Sequence, residues 1–278
     1  MKDYLVRGMS MDGFVKAVAL RSTELVRRGA QIQKTTPNAT AAFGRCLTAA
    51  SMMGNMQKVE DGSMTLQVRG GGPIGTITVV SDSVGNVRGC VTEPRVPLVE
   101  KYPGKLDVGA TVGTDGTLTV IRDLQMKEPY IGSTQLVSGE IGDDVTAYFA
   151  QSEQTPTACA LGVLVDRDQS VKVAGGYLLQ LLPGAPDEVI DTLEKGISPE
   201  DILGQVCGSL GVAFLETTEV TYKCYCTRER VERALISLGR KELEEIRQEG
   251  KTFPVECQFC DAVYSFTPED IGKLLEKI

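Results

Sequence analysis

The chain has 278 residues, of which 42% are hydrophobic and 24% are charged. These values predict a folded protein with one large domain or two ordinary ones, and they exclude a chain that is disordered throughout. The formal net charge of −8 disfavours general attraction to nucleic acid and to anionic membranes.

The N-terminal segment carries Asp3, Arg7, Asp12 and Lys16 among its apolar residues, so it contains no signal-peptide core. No run of about 18 apolar residues occurs in the sequence, and no transmembrane helix is therefore predicted. We expect a cytoplasmic protein without a membrane partner.

Residues 1–183 are predicted to form a mixed α+β core domain. Alternating apolar residues predict strands in three segments: "FVKAVALRS", "MTLQVRG" and "TDGTLTVIRDL". Turn residues predict two β-hairpins, centred on Ser83–Asn86 and Asp166–Ser170. Helical patterns predict three helices: Thr23–Gln33, Pro37 through Met56, and about Gly139 to Ser152 with Ser138 as its cap.

Two segments of this domain invite functional interpretations. "RGGGPIG" at Arg69–Gly75 is rich in glycine, but it lacks the Lys-Ser/Thr pair of a phosphate-binding loop and leads into a strand. We therefore expect a turn with positive φ angles and no nucleotide site. The stretch Ala42–Met56 is rich in small residues and methionine, which predicts close helix packing or, alternatively, an adaptable binding face.

The character of the sequence changes after residue 183. Residues 184–220 are predicted to form a helical connector, in which Ser198 caps a helix that begins at "SPEDIL". Residues 221–278 are predicted to form a small terminal unit. Its elements are two charged amphipathic helices that each end at a glycine, a strand that carries Cys257, a "CQFC" turn, a return strand in "AVYSF", and a last helix with Thr267 as cap and Pro268 at its first position.

The eight cysteines fall into two groups. Four stand alone within apolar stretches, and we expect them to be small buried residues outside any site: Cys46, Cys90, Cys159 and Cys207. The other four form two close pairs, Cys224-Tyr-Cys226 and Cys257-Gln-Phe-Cys260, with thirty residues between the pairs. In a cytoplasmic protein such pairs indicate metal binding or redox chemistry more often than structural disulfides.

The paired cysteines predict a metal site. The terminal unit has few large apolar residues, and a core that small usually needs a metal or a disulfide for stability. Four thiolates without a histidine favour zinc over calcium or magnesium. A CxxC turn between strands is a zinc knuckle, whose sulfurs reach one ion at about 2.3 Å. We expect one Zn²⁺ per reduced chain, bound by Cys224, Cys226, Cys257 and Cys260.

Two roles for such a site stay open on the residues alone. One is a structural zinc ribbon that binds protein or nucleic acid without redox switching. The other is a redox switch, because oxidation of either pair would remove ligands. Since such a site contributes about 10–16 kcal/mol of apparent folding free energy, its loss would unfold the unit.

The combination of motifs resembles one known family. "CYC…VECQFC" near the C-terminus is joined by "GGGPIG", "GKLDVGATVGTDGTLTVIRDL", "LVSGEIGDDVTAYFAQSEQ" and "AGGYLLQLLPG". Together these blocks are similar to the redox-regulated bacterial chaperones of the Hsp33 family over nearly the whole chain. The resemblance implies an ATP-independent holdase that is zinc-bound and idle when reduced, and that binds unfolded or oxidatively damaged proteins when oxidised.

The resemblance also implies the residues of the switch. Cys224, Cys226, Cys257 and Cys260 would be both the zinc ligands and the redox thiols, with disulfides Cys224–Cys226 and Cys257–Cys260 after oxidation. Oxidation would release zinc, unfold the terminal redox-switch domain and the connector, and expose surface for clients. A homodimer on oxidation is a further expectation. One departure from the family is that Asp187 to Gly196 is shorter than the expected connector.

Nucleic-acid binding is the first competing function. Residues 221–278 carry ten Lys and Arg and eleven Asp and Glu, which gives a net charge of −1. A surface that binds phosphates needs a basic face, so this balance argues against nucleic acid as a partner.

An enzyme is the second competing function. A thioredoxin-like CxxC would lie at a helix N-terminus after a strand, whereas "CQFC" is predicted between two strands. Without histidine, the Ser-His and Cys-His nucleophile pairs cannot form. We therefore predict a protein that is not an enzyme and that has no catalytic residues.

Overall fold

The structure is a computed structural model that describes residues 2–11, 13–57, 59–182 and 212–278. The chain divides into two compact units, Met1–Lys223 and Cys224–Ile278. Helices and antiparallel strands occur in both units, which confirms the predicted α+β class. Among the described residues, no helix is both long and apolar enough to cross a bilayer.

The first unit contains two antiparallel sheets of five strands. The first sheet consists of β1 (Tyr4–Ser10), β2 (Val15–Arg21), β10 (Thr157–Val165), β11 (Val171–Leu181) and β12 (Val212–Glu219). Their order across the sheet is β10-β11-β2-β1-β12. The predicted strand in "FVKAVALRS" and the predicted hairpin turn at Asp166–Ser170 are both confirmed.

The predicted helical connector is wrong at its C-terminal end. Val212–Glu219 is a strand that pairs antiparallel with β1, from Ser10↔Val212 to Tyr4↔Glu219. The segment "VAFLETTE" is rich in β-branched and aromatic residues, and β1 supplies the partner that a strand needs. The rest of the predicted connector, including the helix that starts at Ser198, lies outside the described residues.

The second sheet consists of β3 (Ser63–Arg69), β4 (Thr76–Asp82), β5 (Val87–Val91), β8 (Thr117–Asp123) and β9 (Tyr130–Gln135), in the order β5-β4-β3-β8-β9. A separate short hairpin is formed by β6 (Glu100–Tyr102) and β7 (Lys105–Leu106). The predicted turn at Ser83–Asn86 is confirmed. There the Asp82 carboxylate accepts hydrogen bonds from the backbone N–H groups of Val84, Gly85 and Asn86.

The first unit has four helices among its described residues: α1 (Thr23–Gln33), α2 (Pro37–Asn55), α3 (Val108–Val112) and α4 (Gly142–Ser152). The predictions for α1 and α2 are confirmed, with α2 ending one residue early. α4 begins at Gly142 instead of about Gly139, and Ser138 is not its cap, because the N-cap position is Ile141 and Asp144 of the first turn bonds back to it. The Asp144 carboxylate accepts hydrogen bonds from the N–H groups of Ser138 and Ile141.

The core of the first unit is built around α2, which contacts strands of both sheets. Nearly all of its residues are buried, including Ala42, Leu47, Met52 and Met53. Close helix packing is therefore confirmed for Ala42–Met56, and the alternative of an adaptable binding face is wrong. Small residues along the helix allow β-strands and α1 to approach it closely.

The glycine-rich segment forms the turn between β3 and β4. Gly71 and Gly75 have φ angles of +74° and +69°, a conformation that side chains with a Cβ rarely adopt. A Cβ at Gly70 or Gly72 would collide with backbone carbonyl oxygens of the α3 region. The expected turn with positive φ angles is confirmed.

The second unit has three helices, α5 (Arg228–Ile236), α6 (Arg240–Gln248) and α7 (Pro268–Leu275), and one hairpin, β13 (Phe253–Glu256) with β14 (Val263–Phe266). These elements confirm the predicted order, and Thr267 caps α7 through a reciprocal pair of hydrogen bonds with Asp270. The hydrophobic cluster of this unit is small; its buried residues are Leu235, Leu243, Phe266, Ile271, Leu274 and Leu275.

Candidate metal centre

The first cysteine pair lies directly before α5, in a segment without regular secondary structure. Thr227 follows Cys226 and caps the helix, because its hydroxyl accepts a hydrogen bond from the Arg230 N–H at 3.3 Å. The Arg230 guanidinium donates in turn to the Tyr225 carbonyl oxygen at 3.0 Å. These bonds fix the CxC segment relative to the start of α5.

The second cysteine pair lies in the turn that joins β13 to β14. The Cys257 N–H donates to the Ala262 carbonyl oxygen at 3.0 Å and so extends the strand pairing beyond Glu256. The Cys260 N–H donates to the Cys257 carbonyl oxygen at 3.3 Å and closes the turn. The predicted CxxC turn between two strands is confirmed, although the strand ends one residue before Cys257.

The four paired cysteines meet at one place. Their sulfur atoms all lie within 4.8 Å of one another, and all four residues are half-buried. The sulfurs of Cys224 and Cys257 are 3.7 Å apart, and those of Cys226 and Cys260 are 3.4 Å apart. Each of these two contacts joins the CxC segment to the CxxC turn.

This arrangement fits a tetrahedral metal ion with thiolate ligands. Four sulfurs at about 2.3 Å from a common ion would be separated by about 3.8 Å, the edge of that tetrahedron. The sulfur–sulfur distances of 3.4 and 3.7 Å are close to this edge, so little movement is needed to bind an ion. Two segments that are distant in sequence would then be tied together by one centre.

The ligand thiols differ in acidity. Burial raises the pKa of the Cys224 thiol, and it also raises the pKa of the Cys260 thiol. Burial acts in the same direction at Cys226, but hydrogen bonds with Tyr264 and with the neighbouring thiols outweigh it and lower the pKa of Cys226. Of these three thiols, Cys226 therefore ionises most readily.

Tyr264 of β14 is a neighbour of the centre that the sequence analysis missed. Its hydroxyl lies 3.1 Å from the Cys226 carbonyl oxygen and 3.3 Å from the Cys226 sulfur. The hydrogen bond to Cys226, together with burial, raises the pKa of Tyr264 to about 12. Alternation in "AVYSF" places Tyr264 on the same side of the strand as Phe266, which is the only trace of this role in the sequence.

Three of the isolated cysteines are described, and they lie away from this centre, in the first unit. Cys46 is fully buried, as predicted, whereas Cys90 and Cys159 are half-buried; Cys207 falls outside the described residues. Burial raises the pKa of Cys46, and it raises the pKa of Cys159 to about 12. Such thiols are poor nucleophiles at neutral pH because the thiolate is the reactive form.

Comparison with known proteins gives one consistent result. The family model of the Hsp33 protein matches residues 3–267. The 33 kDa chaperonin of Bacillus cytotoxicus is 46% identical over 292 aligned positions, which cover 100% of both chains. The 33 kDa chaperonin of Alkaliphilus oremlandii is 45% identical, over 100% of this chain and 98% of the relative.

A solved structure agrees with these sequences. The crystal structure of the 33 kDa chaperonin (heat shock protein 33 homolog) from Thermotoga maritima matches with a TM-score of 0.88 and 35% identity, over 100% of this chain and 99% of that chain. The alignment with the Bacillus cytotoxicus protein spans 292 positions, whereas this chain has 278 residues. That relative therefore has residues that this chain lacks.

The fold and the site together define a class of protein: a two-sheet α+β unit followed in the chain by a small ribbon with four converging thiols. The comparisons identify the family within that class. The chain belongs to the Hsp33 family, and this membership supports a chaperone function.

Proposed function

We propose that this chain is an ATP-independent holdase chaperone whose activity is controlled by the oxidation state of its four paired cysteines. The proposal is carried by the convergence of Cys224, Cys226, Cys257 and Cys260 within 4.8 Å, in a chain of the Hsp33 family. Its relatives are named chaperonins, which fits a protein that is not an enzyme.

In the reduced protein, the four thiolates would hold one Zn²⁺. When bound, zinc would supply the positive charge that keeps four thiols deprotonated at one point. The chain supplies the geometry: the Thr227 cap positions Cys226, and the β13–β14 turn positions Cys257 and Cys260. With these segments held in place by the metal, the hydrophobic cluster of the second unit can pack.

Oxidation by a peroxide removes the ligands in two steps. One thiolate attacks a peroxide oxygen, an S–O bond forms, the O–O bond breaks, and hydroxide leaves; the sulfur is now a sulfenic acid. The second thiolate of the pair attacks this sulfur, and an S–S bond forms as a second hydroxide leaves. Each pair thereby gives two electrons to one peroxide molecule.

The family resemblance assigns the disulfides as Cys224–Cys226 and Cys257–Cys260. All four sulfurs lie within 4.8 Å of one another, so proximity alone favours neither these pairs nor the cross-pairs. Pairing within each motif would release the CxC segment from the CxxC turn, whereas cross-pairing would keep them joined. Only the first outcome leads to local unfolding.

Unfolding of the second unit follows from the small size of its hydrophobic cluster. Only six of its described residues are buried apolar side chains, whereas the first unit has a large core around α2 that includes Phe43, Met52 and Tyr148. A structural zinc contributes about 10–16 kcal/mol in model fingers, which is as much as the whole stability of a typical domain. The first unit should therefore stay folded when the second does not.

The first unit offers an apolar surface of the kind that a holdase requires. A hollow of about 830 Å³ lies along the first sheet, and the half-exposed side chains of Tyr4, Leu164 and Val173 line it. We assign unfolded clients to this apolar surface. That the predicted connector, residues 184–220, covers apolar surface in the reduced form stays a prediction, because residues 184–211 lie outside the described ranges. The cytoplasmic location, the homodimer on oxidation and the lack of nucleic-acid binding stay predictions from the sequence.

One experiment tests the proposal as a whole. Purified reduced protein is assayed for zinc, free thiols and suppression of the aggregation of a chemically unfolded test protein, before and after peroxide treatment. We expect one zinc per chain and no suppression before treatment, and loss of zinc, two disulfides and suppression without ATP after it. Peptide mapping assigns the disulfides.

The outcomes separate the competing functions. Zinc that stays bound under peroxide while the paired thiols remain reduced would indicate a structural ribbon and contradict the switch. Protein that is purified reduced but without metal would contradict the metal assignment. A double variant, Cys90→Ser with Cys159→Ser, is the matched control and should behave as the wild type does.

A further inference from the structure

Tyr264 connects the candidate metal centre with the hydrophobic cluster of the second unit. It lies on β14 opposite Val255 of β13, and its side chain packs against the cluster that contains Phe266. Its hydroxyl reaches Cys226, at 3.1 Å from the carbonyl oxygen and 3.3 Å from the sulfur. One side chain therefore contacts both a ligand residue and the core of the unit.

The Tyr264 hydroxyl has one proton and two acceptors within reach. A thiolate carries a full negative charge, so it accepts a stronger hydrogen bond than a neutral carbonyl oxygen does. A sulfur in a disulfide carries no charge and is a weak acceptor. The proton therefore goes to the sulfur while Cys226 is a thiolate, and this hydrogen bond is lost once Cys226 is in a disulfide.

We propose that Tyr264 is a positioning residue of the metal centre, whose hydroxyl donates to the Cys226 thiolate, holds that sulfur in place and slows its oxidation by peroxide. The proposal rests on the proposed function, because it assumes that Cys226 is a metal-bound thiolate in the reduced protein. The donor that acts on Cys226 belongs to the strand after the other cysteine pair, so it also ties the two ligand segments together.

Two physical effects give Tyr264 this role. Four thiolates around one divalent ion leave a formal charge of −2, which hydrogen bonds to the sulfurs offset. Residues that orient metal ligands in this way typically change metal affinity by about 10–100-fold. The same bond draws electron density from the sulfur and so lowers its reactivity in the first oxidation step, in which the S–O bond forms as the peroxide O–O bond breaks and hydroxide leaves.

The test compares three full-length proteins: the wild type, Tyr264→Phe and Tyr102→Phe. Phenylalanine at 264 keeps the ring in the cluster and removes only the donor. Tyr102→Phe removes the hydroxyl of an exposed tyrosine in the first unit and leaves the Tyr264–Cys226 hydrogen bonds in place, so it is the matched control. Each reduced protein is loaded with Co²⁺ to record the sulfur-to-cobalt charge-transfer band, and with Zn²⁺ to measure affinity against a chelator and the rate of zinc release under peroxide.

For Tyr264→Phe we expect a charge-transfer band at lower energy, because a sulfur without a hydrogen bond gives up an electron more easily. We also expect zinc affinity to fall by about tenfold, the low end of the range for such residues, and zinc release to become several-fold faster. Tyr102→Phe should stay within about twofold of the wild type. A 3-fluorotyrosine at position 264, which is a more acidic donor, should shift the band to higher energy and slow the release.

Two results would overturn the proposal. One is a Tyr264→Phe protein with the band and the release rate of the wild type. The other is weaker metal binding without a band shift, which would assign Tyr264 a packing role only. These failures differ from failure of the proposed function, in which the wild type itself would bind no Co²⁺ or Zn²⁺, or would keep its zinc under peroxide.

Discussion

Replacing Cys260 with serine should unfold the second unit and leave the first unit folded. The Cys260 sulfur lies 3.4 Å from the Cys226 sulfur, and the change removes one of the four converging ligands. If four sulfurs share about 10–16 kcal/mol of apparent folding free energy equally, the loss is about 2.5–4 kcal/mol. That loss corresponds to a drop of roughly 100- to 1000-fold in zinc affinity.

The second unit has little to offset this loss. Its cluster contains six buried apolar residues among those described, and the helices around it are short and strongly charged. We expect reduced Cys260→Ser protein at micromolar zinc to lose protection in residues 224–278. The core around α2 in the first unit should keep its protection, since it does not depend on the metal.

Limited proteolysis with mass mapping measures this directly, with and without a zinc chelator. Cys90→Ser is the matched control, because it removes a half-buried thiol of the first unit and should leave both units as resistant as in the wild type. Equal protease resistance of residues 224–278 in Cys260→Ser and in the wild type would refute the reasoning that a metal stabilises this unit.

Three further predictions follow from the same structure. A variant with alanine at Cys46, Cys90, Cys159 and Cys207 should bind one zinc and release it under peroxide as the wild type does, because burial raises the pKa of Cys46 and Cys159 and keeps them unreactive. Loss of zinc release under peroxide in a folded variant would show that the sensor includes one of them. Leu243→Ala should lower zinc affinity by at least about 30-fold, because truncating a fully buried leucine costs about 2–5 kcal/mol of folding free energy and folding is coupled to metal binding. Leu238→Ala, at a residue that is 50% exposed, should change zinc affinity little. The hydrogen bond from the Thr267 N–H, with that from its hydroxyl, holds the pKa of Asp270 below its usual range, so ionised Asp270 stabilises the fold above the pKa of an unfolded Asp and this stabilisation is lost as pH falls through the folded pKa. At neutral pH, the helical structure of Asp270→Asn should therefore unfold at lower urea concentration than that of the wild type, and a difference that persists in acid would contradict this linkage.

Elements with a local signal could be predicted from the sequence. α1, α2 and the turn at Ser83–Asn86 depend on residues close in sequence, namely a helical apolar pattern, a proline in the first turn and turn-forming Asp82 to Asn86. The β12 strand could not be predicted, because its partner β1 lies more than 200 residues away and an eight-residue segment takes its conformation from that pairing.

The candidate site also has a part that local sequence predicts and a part that depends on distant residues. The spacing of Cys224, Cys226, Cys257 and Cys260 predicted one thiolate site, because two pairs of soft ligands in a small unit have few other uses. The role of Tyr264 depends on how β14 lies against the CxC segment, which is 38 residues away from it in sequence at Cys226. No local pattern encodes that contact.

The proposed function requires that oxidation activates the chaperone by unfolding the second unit while the core of the first unit stays folded. Hydrogen exchange with mass spectrometry, on reduced zinc-loaded protein and on peroxide-oxidised zinc-free protein, tests it most directly when aggregation suppression is assayed on the same samples. We predict that amides from Cys224 onward become labile after oxidation, that the hairpins containing Ile77 and Val173 stay protected, and that suppression appears only in the oxidised sample. Equal protection of residues 224–278 after full disulfide formation and zinc loss would contradict this prediction.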